Sequence, residues 1–259
     1  MNSPLKITYI GGPSALLEWG GLRLLTDPTF DDSGGAYQTG PVTLHKLTSP
    51  AISAESVGRL DAVLLSHDHH FDNLDHAGRN LLGKVERVFT TPEGAARLGG
   101  NASGLGHWQA GRITAPQGDT LLVTGTPGRH GPPGGDRGPV TGFVLAWEKQ
   151  LDAAVYVSGD TVWYEGVAEV ARRFHIHTVI LFMGAARVKE VGPAHLTMTA
   201  EDGIAAARAF SDAMIVPVHY EGWQHFSESR KDIEQAFQKQ GMEGRLLWIT
   251  AGESALAVV

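Results

Sequence analysis

The chain has 259 residues, 42% of them hydrophobic, which suits one large domain with a sizeable core. Its formal net charge of -7 argues against a surface built for nucleic acid or anionic membranes, and with no cysteine there are neither disulfides nor thiolate ligands. No apolar run approaches membrane-spanning length and residues 1–6 lack an apolar signal core, so the expectation is a cytoplasmic protein.

Short apolar runs at 7–10, 15–19 and 22–26 are divided by Gly11-Gly12-Pro13 and Gly20-Gly21, the glycine spacing of antiparallel hairpins. Thr26-Asp27-Pro28-Thr29 closes the third run with a turn that Asp27 is expected to cap, a contact supporting the site being the alternative. Residues 31–50 read as a long irregular loop, in which His45 and Lys46 are expected to be simply exposed. A buried strand at 62–65 runs into Ser66-His67-Asp68-His69-His70-Phe71-Asp72. Asp72 is expected to cap a helix with Leu74, Ala77 and Leu81 on its apolar side, and Asp75 to pair with Arg79.

A strand at 87–90 and a helix at 92–98, opened by Pro92, precede a loop at 99–106. The strand at 119–124 leads to Arg129-His130 and a Gly/Pro-rich loop at 131–139. Strands at 143–147 and 153–157 follow, the second ending in Ser158-Gly159-Asp160-Thr161. Val167, Val170, Ala171 and Phe174 mark a helix, and the next strand spans 178–182. His175 and His177 share a strand face with no carboxylate nearby and read as structural. Thr199 and Ser229 each start a helix with a capping box, around a strand at 213–218 that ends at His219. Strands at 246–249 and 255–259 close the chain.

Four strands thus end in candidate ligands: the His67–Asp72 cluster, His130, Asp160 and His219. A lone Asp after Gly is usually a turn, and a lone His at a strand end is usually hydrogen-bonded. The set, in this order, points to a metal site where strand ends meet at one sheet edge. Imidazole and carboxylate ligands suit Zn, Mn or Fe.

Ile10-Gly11-Gly12 followed by Leu24-Leu25-Thr26-Asp27-Pro28, then Ser158-Gly159-Asp160-Thr161 and Val216-Pro217-Val218-His219-Tyr220, resemble the metallo-β-lactamase superfamily. Within it they are most similar to the branch of ascorbate phosphate lactonases and N-acyl phosphatidylethanolamine phospholipase D enzymes. The resemblance covers nearly the whole chain. It implies an α/β fold, a four-layer αββα sandwich, as a single domain over residues 1–259 with a metal site at one edge.

The first motif of that superfamily, His-x-His-x-Asp-His, is altered here. Counted from the strand, His67 and His69 fit, but Asp72 arrives one residue late. Counted back from the helix, Asp68 and His70 take the two histidine places, and Asn73 stands where the last histidine would be. His67, His69 and His70 therefore compete for about two ligand places.

The resemblance implies a metal-dependent hydrolase that turns an activated hydroxide on a small ester, lactone or phosphoester, with one or two Zn or Mn ions. Two histidines of the cluster and His130 would hold the first ion, and Asp160 would bridge to a second held by Asp72 and His219. Asp72 and His195 are the candidate catalytic residues; Arg129, Tyr220, Trp223 and His225 are the candidate substrate contacts. The rival class is a non-catalytic metal- or ligand-binding protein that has kept the fold. The expected partner is a small-molecule substrate, with no nucleic acid or membrane, and a homo-oligomer stays open.

Overall fold

The computed structural model describes residues 4–257 and 259. The chain opens with strands β1 (Leu5–Gly11), β2 (Ser14–Trp19) and β3 (Leu22–Thr26), followed by a hairpin of β4 (Ala36–Thr39) and β5 (Val42–His45). Next come α1 (Ala54–Val57), β6 (Ala62–Leu64), α2 (His76–Leu82), β7 (Val88–Thr90), α3 (Pro92–Leu98), β8 (Ala102–Gly104) and β9 (Ala110–Thr114). Strands β10 (Thr120–Pro127), β11 (Thr141–Trp147) and β12 (Gln150–Val157) precede α4 (Glu165–Arg173), β13 (Ile176–Phe182), α5 (Ala200–Ala209) and β14 (Met214–Val218). Helix α6 (Arg230–Lys239) and β15 (Ser254–Ala257) complete the order.

Two mixed sheets form the centre, one ordered β15-β1-β2-β3-β6-β7-β8 and the other β14-β13-β12-β11-β10-β9. Successive side chains of a strand point to opposite faces, and both sheets use this to bury both faces. Leu24, Leu64 and Phe89 of the first sheet meet Phe143, Val155, Ile180 and Val216 of the second in one core. The alternate residues Leu25, Val63 and Val88 pack outward on Leu74, Leu81 and Leu82 around α2. Val144, Tyr156, Val179 and Leu181 face outward onto Val167 and Val170 of α4, Ile204 of α5 and Phe237 of α6. The layers are therefore helix, sheet, sheet, helix. The β2–β3 turn is set by Gly20 and Gly21, with φ of 55° and 81°, the double positive angle of a two-residue hairpin. A Cβ on Gly20 would also collide with the Trp147 ring.

Strand direction places the site. β3, β6 and β7 are mutually parallel, as are β12, β13 and β14. β10 is antiparallel to β11, and β11 to β12, so β10 runs with β12. The carboxyl ends of β10, β12 and β14 consequently share one edge of their sheet.

The structure differs from the sequence reading in several places. The expected loop at 31–50 contains the β4–β5 hairpin, because Tyr37, Val42 and Leu44 bury themselves against Trp223. Lys46, expected at the surface, is buried and paired with Asp75 at 2.7 Å. Asp75, not Asp72, caps α2, accepting from the Gly78 amide at 2.8 Å. Arg79 donates to the Asp68 carbonyl at 2.7 Å instead of pairing with Asp75. β8 and β9 add edge strands that the polar sequence around them obscured. At 246–249 there is a single bridge from Leu246 to Ile215, after a 3-10 turn whose Arg245 guanidinium binds the carbonyls of Phe210 and Ala213. Val258, expected in the last strand, and residues 1–3 lie outside the described residues. No helix among the described residues is long and apolar enough to cross a membrane.

Candidate metal centre

The turn after β6 is anchored from the end of β3. Asp27 accepts the Ser66 backbone N–H and the Ser66 hydroxyl, both at 2.6 Å. It also accepts the Asn73 side-chain amide at 3.1 Å. Asp27 is therefore more than a turn cap. Burial, offset in part by these donors, pushes its pKa from 3.8 up to about 7.

That anchor sets a tautomer. The Ser66 hydroxyl has one proton and gives it to Asp27, so its oxygen accepts from His67 Nδ1 at 2.9 Å. His67 Nε2 then carries a lone pair. His130 Nδ1 lies 2.8 Å from the Leu196 carbonyl, which can only accept, so His130 Nε2 also carries a lone pair. Both lone pairs face His70 Nδ1, at 2.9 and 3.2 Å. Burial first, then the neighbouring imidazoles, hold His67 well below its ordinary pKa, and burial likewise lowers His70 to about 3 and depresses His130. Three neutral rings thus aim three nitrogens at one point where a single proton cannot satisfy them. A cation answers that arrangement. Around a tetrahedral Zn ion, donor atoms lie about 3.3 Å apart, close to the separations seen here.

A second group lies beside the first. Asp72, Asp160 and His219 bring ligand atoms within 4.8 Å of one another, as do His67, His130 and Asp160. Asp160 Oδ2 is 3.7 Å from His130 Nε2, and Oδ1 is 2.8 Å from His219 Nδ1. Neither Asp160 oxygen is in hydrogen-bond geometry with any partner, nor is either ring nitrogen of His219, and all four atoms are buried. Asp160 thus faces both groups from a buried position, where imidazoles stand near its oxygens without hydrogen-bond geometry, an arrangement that suits a cation between them. Burial opposes ionisation of Asp160 and Asp72, but the imidazoles of His219 and His225 with their neighbours outweigh it and lower both pKa values. Burial likewise opposes a charge on His219, and Asp160 outweighs it, raising that pKa. His219 holds φ at 55°, a left-handed angle unusual for a non-glycine residue, fixed by its amide bond to the Gly12 carbonyl at 2.7 Å.

The remaining expected residues divide. His69 lies beside His67, with ring centroids 4.7 Å apart, and the trio His67, His69 and His70 is close enough to share an ion. Its Nε2 donates to the Arg137 carbonyl at 2.9 Å, which ties the ring to the 131–139 loop and leaves its buried Nδ1 without a hydrogen-bond partner. Asp68 leaves the site altogether, paired with Arg97. His225 is brought in, with Nε2 3.0 Å from Asp72 Oδ2. Arg129 is not: its guanidinium stacks 4.5 Å over the Tyr164 ring. Tyr220 is buried between Tyr9 and Trp248 in the core. Trp223 backs the hairpin, 5.3 Å from the Tyr37 ring. His195 does not line the cleft; its neighbour Leu196 does, and orients His130.

Over these groups opens a narrow cleft, with about 420 Å³ of empty space when the open solvent at its mouth is included. His70, Asp72, His130 and His225 form its floor, and Val42, Leu44, Val188, Val191 and Leu196 its apolar walls. Arg137 supplies the one cation among the described lining residues. The sequence reading assigned nothing to Arg137, and for Asp27 it favoured a turn cap over the supporting contact that the structure shows. Asp27 follows an apolar strand as Asp160 does, and that parallel was the available signal.

Residues 22–220 match the family described as Beta-lactamase superfamily domain. The UPF0173 protein YddR of Bacillus subtilis is 27% identical over 96% of this chain and 99% of its own length. A UPF0173 metal-dependent hydrolase of Pyrobaculum arsenaticum is 24% identical over 89% of this chain and 90% of its own. Among solved structures, an isothiocyanate hydrolase from Delia radicum gut bacteria superposes with a TM-score of 0.81 at 24% identity, covering 98% of this chain and 100% of that one. Igni18, a metallo hydrolase from Ignicoccus hospitalis, superposes at 0.72 with 20% identity, covering 98% of each chain. These likenesses show a shared metallo-β-lactamase fold.

Proposed function

The chain belongs to the Beta-lactamase superfamily domain family, and from that premise we propose that it is a metal-dependent hydrolase, folded as one domain, acting on a small ester, lactone or phosphoester. The observation that carries this reading is the crowding of ligand atoms: the lone pairs of His67 and His130 both face His70 Nδ1, beside an Asp160 whose buried oxygens lie 3.7 Å from His130 Nε2 and 2.8 Å from His219 Nδ1, outside hydrogen-bond geometry. Imidazole and carboxylate donors without thiolate suit Zn or Mn, and the two adjoining groups suit one or two ions. When bound, such ions supply Lewis acidity and bring the pKa of a water toward ~7.

The residues divide the remaining tasks. Asp72, ionised and held by His225, is placed on the cleft floor to take the proton that a water gives up on attacking a carbonyl or phosphoryl centre. The apolar walls exclude bulk water and hold an aliphatic or lactone-sized group. Arg137 at the rim meets a carbonyl or anionic oxygen. One fold neighbour bears the name isothiocyanate hydrolase, which adds a small carbon electrophile to the substrates worth assaying.

The test is metal content and hydrolysis together. Protein purified without chelator is expected to carry Zn or Mn and to cleave at least one generic ester, lactone or phosphodiester. Asp160→Ala should lose most of the metal and the activity while keeping its far-UV circular dichroism. An Asp160→Ala protein with unchanged metal content would sink the assignment.

A further inference from the structure

We propose that Arg137 selects the substrate by charge, holding an oxyanion, a carboxylate or a phosphate, that lies apart from the bond being cleaved. This rests on the hydrolase reading above and narrows its substrate to an anionic one. Arg137 belongs to the 131–139 loop, and both of its peptide groups are pinned. Its N–H donates to the His130 carbonyl at 2.8 Å, and its carbonyl accepts His69 Nε2 at 2.9 Å. The next residue, Gly138, holds φ at 105°, and a Cβ there would stand 2.9 Å from His69 Nε2. The backbone of Arg137 is thus fastened to two histidines beside the candidate centre, one from each sheet's strand ends.

Arg137 is half-buried and lines the cleft together with His70, Asp72, His130 and His225. Among the described residues its guanidinium has no hydrogen bond or ion pair, whereas Arg97, Arg112 and Arg172 are each paired with a carboxylate. The carboxylates closest in the cleft and in the loop are engaged elsewhere. Asp72 stands 3.0 Å from His225 Nε2. Asp136 accepts the Gly138 amide at 3.2 Å and lines the depression on the other side of the loop. A guanidinium drawn toward apolar walls loses hydration, which an anion replaces best, and its fork meets two oxygens of one group. The depression that adjoins the cleft at His225 adds Arg187 and Lys189 to its lining and no carboxylate. On a chain of net charge -7, the approaches to this cleft therefore carry a local positive field that draws anions. The scissile group belongs over the floor, so the oxyanion at Arg137 is a second group of the same molecule. The apolar part between them is what Val42, Leu44 and Leu196 enclose.

The experiment compares 4-nitrophenyl esters of matched length on the metal-loaded, full-length enzyme: the neutral pentanoate, the glutarate hemiester and the 4-phosphonobutyrate. Wild type is expected to favour an anionic ester over the neutral one by about tenfold or more in kcat/KM, and the better of the two identifies the oxyanion. Arg137→Gln and Arg137→Ala should bring that preference down to about one, through KM rather than kcat, with the metal content of wild type. Arg137→Lys should restore part of it, because a point charge replaces the fork. A second readout needs no turnover: calorimetric titration of chelator-treated protein with monomethyl glutarate and with methylphosphonate. Arg137→Gln should weaken the anion that wild type binds by about tenfold or more. Thermal melts show that each variant is folded, and Arg137→Gln serves if Arg137→Ala is not. The proposal is overturned if wild type prefers the neutral ester, or if the Gln variant keeps either the anionic preference or the anion affinity of wild type. Wild type that binds no metal and cleaves none of the esters overturns the hydrolase reading instead. Anion binding lost in Arg137→Gln would still assign the residue in that case, and equal binding would overturn that assignment too.

Discussion

Lys46→Met offers a test of how the cleft wall is fastened. Lys46 is 4% exposed, and its ammonium lies 2.7 Å from Asp75, whose side chain is fully buried. Removing one member of a buried ion pair costs about 3–5 kcal/mol, because the other charge is stranded. Asp75 keeps three amide donors, from Phe30, Asp31 and Gly78 at 2.7–2.9 Å, which continue to solvate the carboxylate. The expected loss is therefore about 2–3 kcal/mol. Methionine keeps a similar apolar stem but gives up the ammonium 5.6 Å over the Trp223 ring, a contribution of about 0.5–1 kcal/mol within that range. For a chain of this size the loss lowers Tm by about 5–10 °C. Urea unfolding of chelator-treated wild type, Lys46→Met, Asp75→Asn and the double variant measures it, with a coupling of about 2 kcal/mol expected between the two positions. A cost below about 1 kcal/mol, or the same cost when Asp75 is already neutral, would refute the reasoning.

Two further outcomes follow from the packing around the turn. Asp27 binds its proton more tightly folded, at about 7, than unfolded, at 3.8. Its burial therefore costs nothing below pH 4, and the cost grows as pH rises to 7 and stays constant above, reaching up to about 4 kcal/mol. In metal-free protein, the stability advantage of wild type over Asp27→Asn should shrink between pH 4.5 and 7; a gap independent of pH would contradict the buried charge. Gly78→Ala should destabilise by about 3 kcal/mol or more, since a Cβ there would run into the Pro28 carbonyl. Denaturant melts close to wild type would mean that α2 does not sit against the 27–31 turn as described.

Much of the molecule was legible because strands and ligands obey simple rules. Apolar runs ending in His130, Asp160 and His219 marked strand ends, and parallel direction brought them to one edge. The family resemblance supplied the layered fold. Which histidines of the turn face the centre was not legible. In a turn the side-chain direction follows the backbone angles rather than a fixed period, so the extra residue between His67 and Asp72 left His69 and His70 equivalent on paper. The structure separates them through distant residues: His70 Nδ1 faces His67 and His130 at the cleft floor, while His69 Nε2 bonds the Arg137 carbonyl of another loop. Lys46 misled for a similar reason. A lysine in a polar stretch is normally solvated, and nothing local reveals that Asp75, a helix cap, lies against it. Arg129 and Tyr220 flank residues of the candidate centre in sequence, yet successive positions near a strand end point to opposite faces, and both turn away.

The cleft wall formed by β4 and β5 is a sheet of its own, apart from both main sheets, tied to the loop after β14 by the His45 carbonyl and the Lys46–Trp223 bridge. A two-stranded ribbon is marginal alone and leans on its apolar contacts, here Trp223. Exchanging Val42 or Leu44 for larger or smaller residues would reshape the chamber without displacing any strand that carries a histidine or aspartate. Under the proposed function, the residues that shape the chamber are then different from those expected to hold metal, so a change of size at Val42 or Leu44 should alter which small molecules fit while metal content stays the same.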